Sequence, residues 1–121
     1  MRIGELASTC DCPVETIRYY EKIGLLAGIR RDCRGHRFYD ERDLPWIEMI
    51  KRLKATAMPL DEIRRFAVLR GHGDATIPER LALLEAHAAR IEAQMRGLEE
   101  HRRKIDEKIT RCKQGGSLSA A

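Results

Sequence analysis

Apolar residues recur at helical spacing in short bursts along the first part of the chain, and in one long series along the last third. Ile3, Leu6 and Ala7 stand at i, i+3 and i+4 and predict a short helix ending near Ser8. Thr9 to Cys12 break the pattern. Pro13 then fits the opening turn of a second helix, where its missing N–H costs nothing. That helix, Val14 to about Lys22, sets Val14, Ile17 and either Tyr20 or Glu21 along one side, with Thr16, Arg18 and Tyr19 nearer the other. Two short helices across a tight turn make a helix-turn-helix. Ile23 to Leu26 leads into an arginine-rich strip, and alternating residues around Gly35 predict a two-stranded hairpin, the wing. Asp43 or Asp40 can cap a third helix reaching about Thr56, with Leu44, Ile47, Ile50 and Leu53 as its buried stripe. Pro59 separates it from a fourth, Leu60 to about Leu69, with Leu60, Ile63, Phe66 and Ala67 inward. Gly71-His72-Gly73-Asp74 is the strongest punctuation, so residues 1–71 read as one domain.

The long series reads as a dimerisation helix over 76–113 with a flexible tail at 114–121. Thr76-Ile77-Pro78-Glu79 fits a capping box. Ile77, Leu81, Leu84, Ala88, Ile91, Met95, Leu98, Arg102, Ile105, Ile109 and Cys112 then follow in alternating steps of four and three. A period averaging about 3.5 keeps such a seam on one side only when helices supercoil around a partner. A single small domain cannot cover the stripe, so a second copy is expected to.

Charge changes the picture locally. The net charge is only +4, yet Arg30, Arg31, Arg34 and Arg37 cluster against the single acid Asp32, a strip able to neutralise phosphates. No run approaches the ~20 apolar residues needed to cross a bilayer, which predicts a soluble cytoplasmic protein with no membrane partner. There is no Gly-rich phosphate loop, nucleophile-base pair or carboxylate dyad, so an enzyme is not expected. A helix-turn-helix with a basic wing and a dimerising helix describes a two-fold reader of double-stranded DNA. Arg18 leads the candidates for the groove, because a guanidinium can pair with guanine or clamp a phosphate. The alternative is a coiled-coil scaffold or protein-interaction module without sequence-specific DNA binding.

The runs Ile3-Gly4-Glu5-Leu6-Ala7, Val14-Glu15-Thr16-Ile17-Arg18-Tyr19-Tyr20-Glu21, Ile23-Gly24-Leu25-Leu26, Arg37-Phe38-Tyr39-Asp40 and Leu60-Asp61-Glu62-Ile63 resemble MerR-type transcription regulators in order and spacing. The resemblance implies a mainly α fold, a winged helix-turn-helix DNA-binding domain followed by a long helix that forms an antiparallel coiled-coil dimer. It also implies promoter DNA with an over-long spacer, RNA polymerase holoenzyme as a partner at the promoter, and an effector that switches the dimer. By the same resemblance Thr16, Arg18, Tyr19 and Tyr20 match DNA contacts of the second helix, and Arg31, Arg37 and Tyr39 match wing and backbone contacts. His36 stands where the family usually has Tyr, and Pro13 and Pro59 where it often has a capping Ser.

No cofactor or metal is expected. Metal-sensing relatives use several thiolates, whereas here Ile77 occupies the first thiol position and no thiol follows Cys112. Cys112 reads first as a packed seam residue, with a thiol for an electrophilic effector or a metal ligand as the alternatives. Aldehyde-responsive relatives carry a cysteine where this chain has Arg52, so their mechanism does not transfer. Zinc at Cys10, Cys12, Cys33 and His36 would need unusual spacings on different loops; Cys10 and Cys12 read as turn packing and Cys33 as an exposed wing residue. His87 and His101 lie off the seam and read as solvated. Trp46 is expected between the reading domain and the partner's long helix, or lining an effector pocket.

Overall fold

A computed structural model describes residues 1–26, 30, 31, 33–35 and 37–115. The chain runs α1 (Ile3–Thr9), α2 (Val14–Lys22), β1 (Arg30–Arg31), β2 (Arg37–Phe38), α3 (Asp43–Ala55), α4 (Leu60–Gly71), one 3-10 turn (Asp74–Thr76) and α5 (Ile77–Lys113). β1 and β2 pair antiparallel, Arg30 opposite Phe38 and Arg31 opposite Arg37, so the expected wing is present. Gly35 supplies its turn at a positive φ of 81°.

Three of the first four helices close in the same way. The residue after the C-cap turns left-handed, and the next amide reaches back five residues. Cys12 bonds Ala7 around Asp11 (3.0 Å), Leu25 bonds Tyr20 around Gly24 (2.8 Å), and Met58 bonds Leu53 around Ala57 (2.9 Å). These stops throw the chain back over the helix it has just left, burying Cys12, Leu25 and Met58. Pro13 and Pro59 occupy the N-cap positions of α2 and α4, Pro13 one residue before the opening turn expected for it. Each has extended ψ and offers its carbonyl to the third and fourth following amides. Arg42, not an aspartate, holds the cap position of α3. Asp40 and Asp43 instead tie the entry loop, Asp43 accepting from the Asp40 amide (2.9 Å) and Asp40 from the Arg42 amide (3.0 Å).

Met1–Leu84 form one compact unit, which reaches past the glycine-rich punctuation into the first turns of α5. Its core joins Leu6 of α1, Ile17 and Tyr20 of α2, Trp46, Ile47, Ile50 and Leu53 of α3, and Ile63, Phe66 and Ala67 of α4. Leu83 and Leu84 pack against it. The buried stripe of α3 is rotated from the expected one, with Trp46 inside and Leu44 only half-buried. The expected capping box at Thr76 does not form. Thr76 Oγ1 turns back to the carbonyls of Leu69 (2.6 Å) and Gly73 (2.7 Å) and accepts from Arg80 Nε (3.1 Å), while Glu79 faces Arg65 at 3.9 Å. The 3-10 turn before α5 uses up the hydroxyl that the box requires.

Glu85–Ala121 form the second unit. Its exposed apolar residues include Met95, Leu98, Ile105 and Ile109. His101 is exposed, but His87 is buried, correcting the solvated reading, and its Nδ1 lies 3.1 Å from Arg90 Nη2. Among the described residues no helix is long and apolar enough to cross a membrane.

Candidate nucleic-acid interface

The outward side of α2 is built by what its inward side must bury. Ile17 and Tyr20, three apart, turn into the core, and this leaves Arg18 and Tyr19 exposed and Thr16 half-buried. Basic side chains of α3 reach this helix and the turn before it. Lys54 Nζ lies 5.4 Å from the Tyr19 ring centre and 5.3 Å from that of Tyr20, close enough for cation–π attraction to both. Lys51 Nζ donates to the carbonyls of Cys10 (3.0 Å) and Asp11 (3.4 Å), placing a cation at the C-terminal end of α1. From α4, Arg64 Nε donates to the carbonyl of Ile23 just beyond α2 (2.9 Å). These positioning contacts escape the sequence reading. The only signal was the pairing of Lys51 and Lys54 three residues apart on one helix, which does not say what they face.

Two expected contact residues are placed inside. Tyr20 is 4% exposed, and burial, then the neighbouring thiols of Cys12 and Cys10, push its hydroxyl above the usual range. Tyr39 is 1% exposed and its hydroxyl donates to Glu21 Oε1. Its amide and carbonyl pair with Met1, at 2.6 and 2.7 Å, and so tie the end of the wing to the start of the chain. Helical phase turns Tyr20 inward beside Ile17, and pairing with Met1 turns Tyr39 inward. Both are therefore packed in the core rather than presented at the surface. Arg31 and Arg37 stand in register on the hairpin. Phe38 and Arg34 are exposed there.

The effector candidates separate. Trp46 stacks on Phe66 of its own chain, 5.3 Å between ring centres and 12° between planes, and its Nε1 donates to the Leu25 carbonyl. It packs in the core of its own chain, 3% exposed. Cys112 is half-buried near the end of α5, beside Ile105 and Ile109. Cys10 and Cys12 are buried and Cys33 is exposed, and among the described residues no three His, Cys, Asp or Glu side chains gather around a point. His36 lies outside the described residues.

A recognition helix with an exposed arginine, a two-stranded wing and a long helix with open apolar positions define a DNA-binding protein of the winged helix-turn-helix class. The chain belongs to the MerR family of transcription regulators. The family model for MerR HTH family regulatory proteins matches residues 1–67, and that described as MerR, DNA binding matches 44–108. An HTH-type transcriptional regulator of Haemophilus influenzae is 36% identical over 108 residues, covering 87% of this chain and 80% of the relative. Among solved structures, HiNmlR, a MerR family regulator lacking the sensor domain and bound to promoter DNA, is 31% identical with a TM-score of 0.78. The match covers 98% of this chain and 94% of that one. PbrR691 from Ralstonia metallidurans, in complex with lead(II), is 38% identical with a TM-score of 0.64, covering 91% and 86%. These relatives regulate transcription and are not enzymes.

Proposed function

We propose that this chain acts as a homodimer that grips a palindromic promoter spacer with two winged heads and distorts it to control transcription by RNA polymerase holoenzyme. A small organic or electrophilic compound sets the state of the dimer. The observation that carries the reading is the uncovered seam. Ile77, Leu81, Met95, Leu98, Ile105 and Ile109 are all 45–68% exposed on a helix of 37 residues, on the order of 55 Å long. Burying each contributes about 1.5 to 3 kcal/mol, so leaving the row in water is costly and a second copy supplies the matching row. An antiparallel pair sets the two Arg18 side chains at one separation, which selects a palindrome of fixed spacing. Bending and untwisting the spacer costs about 1 to 6 kcal/mol, supplied by phosphate contacts from the wings.

For the effector, one half-buried thiol per chain, Cys112, favours a carbon electrophile or apolar ligand over a soft metal, which takes two to four thiolates. Residues 113–121 add no second thiol to Cys112.

The test combines sedimentation with footprinting and single-round transcription on promoters of varied spacer length. A micromolar dimer, a symmetric footprint and a spacer-length optimum are expected. A monomer with no duplex preference would sink the reading, as would Leu98→Asp leaving the dimer unchanged. Dimer melting against electrophiles and soft metals, with Cys112→Ser as control, tests the effector class.

A further inference from the structure

The wing has little stability of its own. Its strands, Arg30–Arg31 and Arg37–Phe38, are two residues each, and an isolated hairpin that short is marginal in water, so its bearing is set at its root. That root is Tyr39, the residue directly after β2. Its amide donates to the Met1 carbonyl (2.6 Å) and its carbonyl accepts from the Met1 nitrogen (2.7 Å), and Met1 packs against the core. The ring is 1% exposed, so its hydroxyl needs a partner inside the protein. The partner is Glu21 Oε1, half-buried on the last turn of the recognition helix. A phenol bonded to a carboxylate is charge-assisted, and so stronger than a bond between neutral groups.

An acid three residues after Arg18 opposes the approach of a polyanion and has the wrong sign for a DNA contact. We propose that Glu21 is a positioning residue, which fixes the bearing of the wing on the recognition helix through the Tyr39 hydroxyl so that wing and helix meet one duplex together. Glu21 itself touches no DNA.

Removing the carboxylate has two effects of opposite sign. Less negative charge on the reading helix strengthens binding to any duplex, whereas a wing released from its root loses the phosphate contacts it supplies. Tyr39→Phe isolates the second effect, because it keeps the ring in the core and the Glu21 charge in place and deletes only the donor. Glu21→Gln isolates the first, because a carboxamide oxygen still accepts from the hydroxyl.

The inference rests on the DNA-binding reading, and its test separates the two. Full-length protein is footprinted with hydroxyl radicals on a duplex selected from random sequence by the wild type. Arg37→Ala and Arg18→Ala first assign the protected positions owed to the wing and to the helix. Tyr39→Phe is expected to lose the positions that Arg37→Ala loses and to keep those that Arg18→Ala loses. Its affinity should fall about tenfold, the order of one hydrogen bond lost from each of two heads. Its salt slope should become shallower by about 0.9 for each phosphate released. Glu21→Gln should keep the wild-type footprint and bind at least as tightly. Circular dichroism and sedimentation check that each variant is a folded dimer, and Glu21→Ala, expected to lose the same wing positions, serves if the phenylalanine variant does not fold. The proposal is overturned if Tyr39→Phe keeps the wing positions and the slope, or if wing and helix positions fade together, as a general loss of structure would make them. It is overturned as well if Glu21→Gln loses the wing positions, or if Arg37→Ala shows that the wing protects none. Wild-type protein that selects no duplex overturns the DNA-binding reading and this inference with it, whereas a wild-type footprint that Tyr39→Phe leaves unaltered overturns this inference alone.

Discussion

Trp46 Nε1 donates to the main-chain carbonyl of Leu25 across 2.7 Å, inside the core. Leu25 is also the residue whose amide closes α2 on Tyr20. One residue thus carries a bond to the recognition helix on its N–H and a bond to α3 on its C=O, and the orientation of the reading surface depends on both.

Replacing Trp46 by Phe leaves that carbonyl buried and unpaired and removes part of the stack on Phe66. A stability loss of about 2 to 4 kcal/mol is expected. Urea unfolding measures it, and a loss below about 0.5 kcal/mol, the scale of a neutral surface change, would show that the bond does not hold the domain.

Arg18→Ala is expected to leave the dimer intact and to weaken binding to the selected duplex by about 1 to 3 kcal/mol if the guanidinium reads a guanine. A phosphate contact would instead weaken all duplexes alike and lower the salt slope by about 1. Titrations on matched and scrambled duplexes at several salt concentrations tell the two apart; unchanged affinity for both would remove Arg18 from the interface.

Ala57 sits at a φ of 61°, where a Cβ costs about 1 to 2 kcal/mol. Gly24 does the same work at the end of α2 without that cost. Ala57→Gly is therefore expected to stabilise the protein by about 1 kcal/mol, read as a rise of several degrees in melting temperature. A fall would mean that the turn takes another shape in solution.

Stability is expected to decline on the alkaline side. Burial pushes the Cys10 and Cys12 thiols and the Tyr20 hydroxyl up, so the folded state keeps these groups protonated where the unfolded chain ionises. Their contribution is complete below the ordinary thiol range and is lost as pH rises through the folded values. Urea midpoints from pH 7 to 10 under reducing conditions should fall, and should fall less in Cys12→Ala; equal slopes would contradict the assignment.

Much of the fold was legible because helices of this length announce themselves by period. The start of α2 at Val14, the hairpin about Gly35, the stripe of Ile47, Ile50 and Leu53, and the span of α5 all follow from spacing and punctuation. The inner side of α2 was left open between Tyr20 and Glu21, and packing decided it in favour of Tyr20. Thr76 shows a different shortfall. A capping box is a local pattern, but the hydroxyl found the carbonyls of Leu69 and Gly73 once a 3-10 turn preceded the helix.

From its order of residues alone, this protein determined where its helices lie, that its last third carries a heptad row, and which arginine is left facing out on α2. Period and charge act locally, so they need no knowledge of the rest of the chain. Only the folded chain decided that Tyr20, Tyr39 and Trp46 are buried, that Lys54 faces the two tyrosines of α2, and that Lys51 bonds the turn before it. Those outcomes depend on which distant surfaces come together, and an aromatic ring or a lysine carries no mark of its neighbour until the core has closed around it.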